Sequence, residues 1–178
     1  MSKRRFTPKQ YKTLLDNMVI LVDTREKTNQ KIIEYFDINN IPYKVQSLST
    51  GDYSFYVRAC EELDMPYDLY YQDELVIERK NSVSEIAGNL NEKDSRFLRE
   101  LGRFKEIKDV HIIVENDRLD DIIEHNYRSK MNELSFFRTI LTLQRKYNFR
   151  LEFVKKENLG FVIYELCKNY LDSKILKW

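Results

Sequence analysis

The 178-residue chain holds only 2 cysteines, 2 histidines, 4 glycines and 3 prolines, and it contains no apolar run of about 18 residues. Each shortage excludes something. Cys60 and Cys167 make neither a disulfide framework nor a metal-ligand spacing, so both read as reduced thiols. His111 and His125 stand alone, which leaves no imidazole or thiolate cluster for Zn²⁺. With so little Gly and Pro, two domains joined by a floppy linker are not expected. The basic N-terminus leads into no apolar segment of a secretory signal, and nothing reads as a membrane span. A soluble, cytoplasmic protein without membrane contact is the expectation. The charges also nearly cancel, at 30 Lys+Arg against 29 Asp+Glu. A net charge of +1 exerts no overall pull on a polyanion. A nucleic-acid partner would need a local basic patch, or metal ions set among carboxylates.

What is present suits one packed domain. Apolar residues make up 42% of the chain, enough for a core. We expect a basic arm and helix over 1–17 and a single domain over 18–178. Lys3, Arg4, Arg5, Lys9 and Lys12 make the arm, which suits either phosphate contact or a solvated tail. Thr7-Pro8 reads as its helix start, with Thr as N-cap and Pro at the first helical position.

Met18 to Val22 is a nearly continuous apolar run, the mark of a buried strand, and it ends on Asp23. A helix follows over about Asn29–Asn39, then a turn at Asn39-Asn40-Ile41-Pro42. Strands are expected over Tyr43–Leu48 and Tyr53–Arg58, around Gly51-Asp52. An acidic, Tyr-rich connection from Ala59 to Asp73 leads to a strand over Glu74–Lys80. Helices over Ser82–Leu90 and Ser95–Ile107, a strand over Val110–Glu115 and a short helix over Asp117–His125 come next. A helix to about Tyr147 follows, with Leu134, Phe137, Ile140, Leu141 and Leu143 on its apolar face. Arg150–Val154 alternates as a strand. A closing helix over Glu157–Leu176 turns Phe161, Ile163, Tyr164, Cys167 and Leu171 inward. Three strands in a meander, then strands alternating with helices, predict an α/β fold: a mixed central β-sheet flanked by helices on both faces.

The chemistry gathers at strand ends. Along Glu74-Leu75-Val76-Ile77-Glu78-Arg79-Lys80 side chains two apart share a face, so Glu78 and Lys80 point one way with Val76, and Leu75 and Ile77 the other. A bare Glu-x-Lys is most often a surface ion pair. Here two more acids, Asp23 and Asp52, lie at the ends of strands close in order. Neighbouring strands run about 4.8 Å apart, so carboxylates on them can converge on one cation. Oxygen ligands without a Cys or His cluster suit Mg²⁺ or Mn²⁺. Such an ion polarises a phosphoryl oxygen and acidifies a bound water, with Lys80 beside it to orient the nucleophile or steady the developing charge.

Val22-Asp23-Thr24-Arg25-Glu26, then Gly51-Asp52-Tyr53, then Glu78-Arg79-Lys80 resemble, in that order and spacing, the XPF-type nuclease domain of the restriction-endonuclease-like, PD-(D/E)XK superfamily. The resemblance runs from about Met18 to Leu171 and is nearest to small single-domain bacterial and phage proteins. It implies a restriction-endonuclease-like fold and Mg²⁺- or Mn²⁺-dependent hydrolysis of DNA phosphodiesters, with branched, flap, fork or single-strand-containing DNA as substrate. The catalytic set it implies is Asp23, Asp52, Glu78, Lys80, Arg25, Glu26 and Arg79. Asp23, Asp52, Glu78 and Arg79 would serve the metal, Arg79 through its carbonyl. Arg96 matches an arginine on the following helix, and Glu100 a position where Gln or Glu is common. A homodimer or a partner protein is also implied.

The pattern departs from the family in three places. Asn81 intervenes after the lysine, leaving Glu85 as the nearest acid where an Asp is usual. Ser95 replaces a glycine. The chain also has no room for a tandem helix-hairpin-helix module. Arg96, Arg99, Arg103 and Lys105 recur along one helix and suit either a DNA backbone or a solvated face paired with Glu100 and Glu106. Lys130, with Arg128 and Arg138, is a further candidate for DNA contact. The acidic connection would repel DNA and should face away from it or meet a partner. A non-catalytic DNA-binding or scaffold subunit is the main alternative, and a base-recognising restriction-like enzyme is a third.

Overall fold

A computed structural model describes residues 6–91 and 96–175. Lys3, Arg4, Arg5 and Ser95 lie outside them, as does the side chain of Arg96. The first helix, α1 (Pro8–Asp16), starts as its sequence dictates. The Thr7 side chain accepts from the Gln10 N–H, the Gln10 side chain accepts in return from the Thr7 N–H, and Pro8 takes the first turn. Leu14 of α1 is buried in the same core as the sheet.

One mixed sheet forms the centre, ordered β2 (Tyr43–Gln46), β1 (Met18–Asp23), β3 (Tyr53–Val57), β5 (Leu75–Lys80), β6 (Asp109–Glu115) and β7 (Phe149–Val154). The short β4 (Leu69–Tyr70) pairs with the far end of β3. Strands β1, β2, β5, β6 and β7 run parallel to one another, and β3 opposes its neighbours. The C-terminal ends of β1, β5 and β6 and the N-terminal end of β3 therefore meet at one edge.

The expected meander is corrected here, because β1 lies between β2 and β3. The reason is burial. All of β1 is buried, which requires a neighbour on each side, whereas β2 carries exposed Lys44 and Val45 and sits at the sheet's edge.

Helices cover both faces. On one, Met18, Ile20, Val22, Phe55, Leu75 and Ile77 pack under α1, α2 (Gln30–Ile38) and α7 (Leu159–Ile175). On the other, Val76, Val110, Ile112 and Val114 pack under α3 (Val83–Asn91), α4 (Arg96–Phe104), α5 (Leu119–Ile123) and α6 (Glu133–Tyr147). Two inward faces differ from expectation. Phe136 and Ile140 are the buried residues of α6 while Leu134 and Leu141 are exposed, and Phe161 of α7 is 51% exposed. Cys60 and Cys167 are free thiols. Among the described residues no helix is long and apolar enough to cross a membrane.

Candidate active site

Asp52 is placed by its backbone. Its N–H donates to the Ile77 carbonyl (2.9 Å) and its own carbonyl accepts from the Asp23 N–H (2.8 Å), so the residue is stapled between β1 and β5. Gly51 makes this approach possible. It sits at φ +75°, and a Cβ there would fall 2.4 Å from Val76 Cγ1 and 3.1 Å from the Ile77 carbonyl oxygen. The Asp52 carboxylate then accepts the Arg79 backbone N–H (2.8 Å), filling a rung that the sheet would otherwise leave open.

Glu78 and Lys80 follow on β5, on the face shared with Val76, as the strand period predicts. Both are buried, at 4% and 6% exposure, so this is not a surface ion pair. Lys80 Nζ donates to Glu78 Oε1 at 2.7 Å and stands 5.0 Å from the centre of the Phe97 ring. Glu78 Oε2 is buried and finds no hydrogen-bond partner among the described residues. These groups line a cavity of about 340 Å³ together with Arg25, Glu26, Lys27, Thr28, Arg79, Asn81, Glu85, Asn89, Phe97 and Glu100.

The electrostatics are those of a site short of positive charge. Burial pushes the Asp52 carboxyl up to about 6; the Arg79 N–H opposes this and the Glu26 charge adds to it. Burial and then the Asp52 charge push the Glu78 carboxyl up to about 8, with Lys80 pulling the other way and Glu100 adding repulsion. Burial works to lower the Lys80 ammonium, but Glu78, Glu85 and Glu100 outweigh it and the net shift is upward. Lys80 is therefore held protonated.

The Asp23 carboxylate and the Arg79 guanidinium are both engaged by neighbouring groups. Asp23 reaches the same sheet edge but does not line the cavity, and its carboxylate is already occupied. Oδ1 accepts from Arg25 Nε (2.6 Å) and the Arg25 N–H (2.7 Å), and Oδ2 accepts from Arg25 Nη2 (3.0 Å) and the Leu48 N–H (2.7 Å). Burial opposes its ionisation, yet these bonds hold its carboxyl below the usual value. In this arrangement Asp23 latches the β2–β3 connection onto β1.

The Arg79 side chain points to the opposite face of the sheet. Its five N–H bonds are spent on Glu26 (3.1 and 2.8 Å), Asn81 (2.8 Å), Glu115 (2.7 Å) and Thr28 (2.6 Å). No donor is left for a phosphate, so the guanidinium is a tie joining the exit of β1 to the ends of β5 and β6.

Sequence reasoning missed Glu115, Thr28, Asn81 and Phe97. Glu115 had a usable signal, since it ends an apolar strand next to β5 just as Asp23 ends β1. Glu85, by contrast, does reach the lysine, with Oε1 3.7 Å from Lys80 Nζ. Three of the candidates for DNA contact lie away from the cavity lining. Arg99, Arg103 and Lys130 are exposed and none lines it, and the Arg103 guanidinium reaches the Ser49 carbonyl (3.5 Å) beside the Gly51 turn. His111 pairs with Glu152 (3.0 Å) and His125 stacks on Tyr127; neither lines the cavity. The acidic connection leaves the far end of β3, about 17 Å from Asp52 at the rise of a strand.

The donor set also bears on the expected ion. Among the described residues no three imidazole, thiol or carboxylate groups already stand close enough to enclose a metal. Two carboxylates on facing strands, one with an orphaned oxygen, fit Mg²⁺ or Mn²⁺, since such hard ions bind through one or two carboxylates and keep several waters.

A sequence model described as the ERCC4 domain matches residues 22–163. The fold is similar to that of XPF from Aeropyrum pernix, at 23% identity and a TM-score of 0.62 over 86% of this chain and 65% of that one. A second structure, of XPF from Aeropyrum pernix in complex with DNA, gives 22% identity and a TM-score of 0.62 over 89% of this chain and 68% of that one. The chain thus spans about 65% of the first of these. No curated protein matches it.

Proposed function

The chain belongs to the ERCC4-domain family, and on that premise we propose that it is a divalent-metal-dependent DNA endonuclease whose active site is the cavity holding Asp52, Glu78 and Lys80. The observation that carries this reading is a carboxylate pair that its neighbours satisfy only in part. Asp52 and Glu78 are forced together at buried strand ends, their carboxyls raised, with one Glu78 oxygen unpartnered. A protein gains nothing in stability from such a pair, and strongly perturbed carboxylates in a cleft mark functional sites.

Asp52 and Glu78 would hold Mg²⁺ or Mn²⁺. When bound, the ion would polarise a phosphoryl oxygen and lower the pKa of a coordinated water. Lys80 stays protonated, so it supplies charge rather than taking the proton of the attacking water. Lys80 lines the cavity, where negative charge would build on the phosphoryl oxygens as water attacks and one ester bond breaks. Phe97 keeps water from the lysine stem. The Arg79 tie and the Asp23–Arg25 latch hold the three strand ends in register, and rigid support of this kind keeps catalytic groups within the narrow geometry the reaction needs.

We take residues 18–178 as the nuclease unit, with α1 as its flank. Selectivity for branched or single-strand-containing DNA, and pairing as a homodimer or with a partner protein, rest on the resemblance of the motifs.

The test is a panel of duplex, single-stranded, flap and fork DNAs with Mg²⁺, with Mn²⁺ and with chelator. Wild type should cut at least the single-strand-containing members, and only with metal. Lys80→Ala and Asp52→Ala should not cut while keeping wild-type circular dichroism. If both variants cut like wild type, the site is misassigned. Binding of DNA without cutting by wild type would instead make the chain a non-catalytic subunit.

A further inference from the structure

Glu85 is a cavity carboxylate with no part in the reaction just described. It sits in the first turn of α3. Its Oε2 accepts from the Asn81 N–H (2.9 Å) and from Asn81 Nδ2 (3.2 Å), and its own N–H donates to Ser82 Oγ (3.1 Å). One oxygen is thus pinned to the end of β5. The other, Oε1, is left facing Lys80 Nζ at 3.7 Å.

Lys80 therefore stands between two carboxylates. It is closed on Glu78 at 2.7 Å and lies a small displacement from Glu85. The closed pairing has a consequence for metal binding. The ammonium holds Glu78 Oε1, so a cation binding between Asp52 and Glu78 through the orphaned Oε2 would share that carboxylate with Lys80 and repel its charge. Driving a buried ammonium off its 2.7 Å partner would leave a desolvated charge short of a counter-ion, which is costly. The Lys80 side chain is only 8% exposed and Phe97 closes one flank, so bulk water is a poor substitute.

We propose that Glu85 is a positioning residue that receives Lys80 when Glu78 turns to the cation, so that the ammonium is handed from one carboxylate to the other and stays in the cavity. This rests on the reading that Asp52 and Glu78 hold a divalent ion. The pinning of Oε2 by Asn81 gives the receiving oxygen a fixed address. The handover also explains why a lysine that must act on substrate is seen closed on a ligand carboxylate: that is its resting partner.

The experiment is a calorimetric titration of Mn²⁺ into the full, metal-free chain for wild type, Glu85→Gln, Lys80→Met and the double variant, with circular dichroism as the control for folding. Glu85→Gln should weaken Mn²⁺ binding about tenfold, the middle of the range for coupled neighbours. Lys80→Met should strengthen it, because the repelling charge is gone. In the Lys80→Met background, Glu85→Gln should change the affinity by less than about twofold. An equal loss with and without Lys80 would reduce Glu85 to a through-space charge and overturn the proposal, as would no loss in either background. Failure of the underlying reading looks different: wild type would then bind no Mn²⁺, or bind it undiminished by Glu78→Gln.

Discussion

Glu74, in the turn just before β5, and Glu78, toward the strand's other end, live in opposite surroundings. Glu74 Oε2 accepts from Lys174 (2.6 Å), Lys108 (3.0 Å) and the Tyr170 hydroxyl (2.8 Å). Those bonds, led by Lys174 and then Lys108, hold its carboxyl at about 2. Glu78 is more deeply buried, has Lys80 as its close cation, keeps one oxygen unpartnered, and is pushed upward. The same residue type, a few positions apart in the chain, serves packing at one end and binding at the other. At the far end the protein satisfies its carboxylate with its own cations. At the site edge it withholds them, which leaves coordination capacity for a ligand that arrives from solution. Functional sites are where such local losses of stability are retained.

The sharpest way to break this comparison is to neutralise each acid in turn. Glu78→Gln should lower DNA cutting by about a thousandfold or more, the scale for losing a group that organises transition-state charge, and should leave the metal-free protein as stable as wild type or more so in urea. Glu74→Gln should leave cutting within about twofold and lower stability by about 1 kcal/mol, its partners being partly exposed. If Glu74→Gln abolishes cutting while Glu78→Gln does not, the two ends have been assigned the wrong way round.

The Arg79 tie is next in size, and it separates support from chemistry within the site itself. Arg79→Met leaves Glu26 and Glu115 facing each other without their cation and should cost about 3–5 kcal/mol in urea unfolding. Unfolding within about 1 kcal/mol of wild type would show that the five bonds carry little net energy.

The smallest effect is the pH dependence, and the two ends should differ in sign. Glu74 is depressed from its ordinary 4.5 to about 2. Its contribution is therefore full above about 4.5 and is lost as pH falls toward 2. Asp52 and Glu78 are raised, so the folded metal-free protein binds protons that the unfolded chain releases. Their contribution is present at low pH and is lost as pH rises through about 6 and about 8. Urea midpoints across pH should show Glu74→Gln flattening the acid limb and Glu78→Gln flattening the neutral one. The same limb flattened by both would remove the contrast.

Much of this could be read in the chain beforehand. The apolar run of β1, the helix cap at Thr7, and the mixed sheet under helices follow from short-range patterns of burial and turn chemistry. The strand period put Glu78 and Lys80 on one face, and the Gly51-Asp52 turn put a third group within reach. The rest escaped because its determinants are far apart in sequence. Arg79 meets Glu26 across 53 positions and Glu115 across 36, and no periodicity links them. Asp23 looked equivalent to Asp52, since both are acids at strand ends. What separates them is Arg25 folding back onto one and the Arg79 N–H meeting the other. Leu134 and Phe161 were read as inward by periodicity, yet the side of a helix that is buried depends on where the sheet lies.

The sequence by itself determined which residues carry charge at strand ends and which faces they share, because pleating and helical period are properties of the local backbone. Only the tertiary structure decided which of those charges are satisfied. That outcome depends on β1 inserting between β2 and β3, on Gly51 letting Asp52 approach β5, and on which cations reach which carboxylates once water is excluded. Glu78-Arg79-Lys80 shows the division most plainly. The strand sets the alternation, but the surroundings leave Glu78 in need of a cation, commit Arg79 wholly to structure, and place Lys80 between two acids.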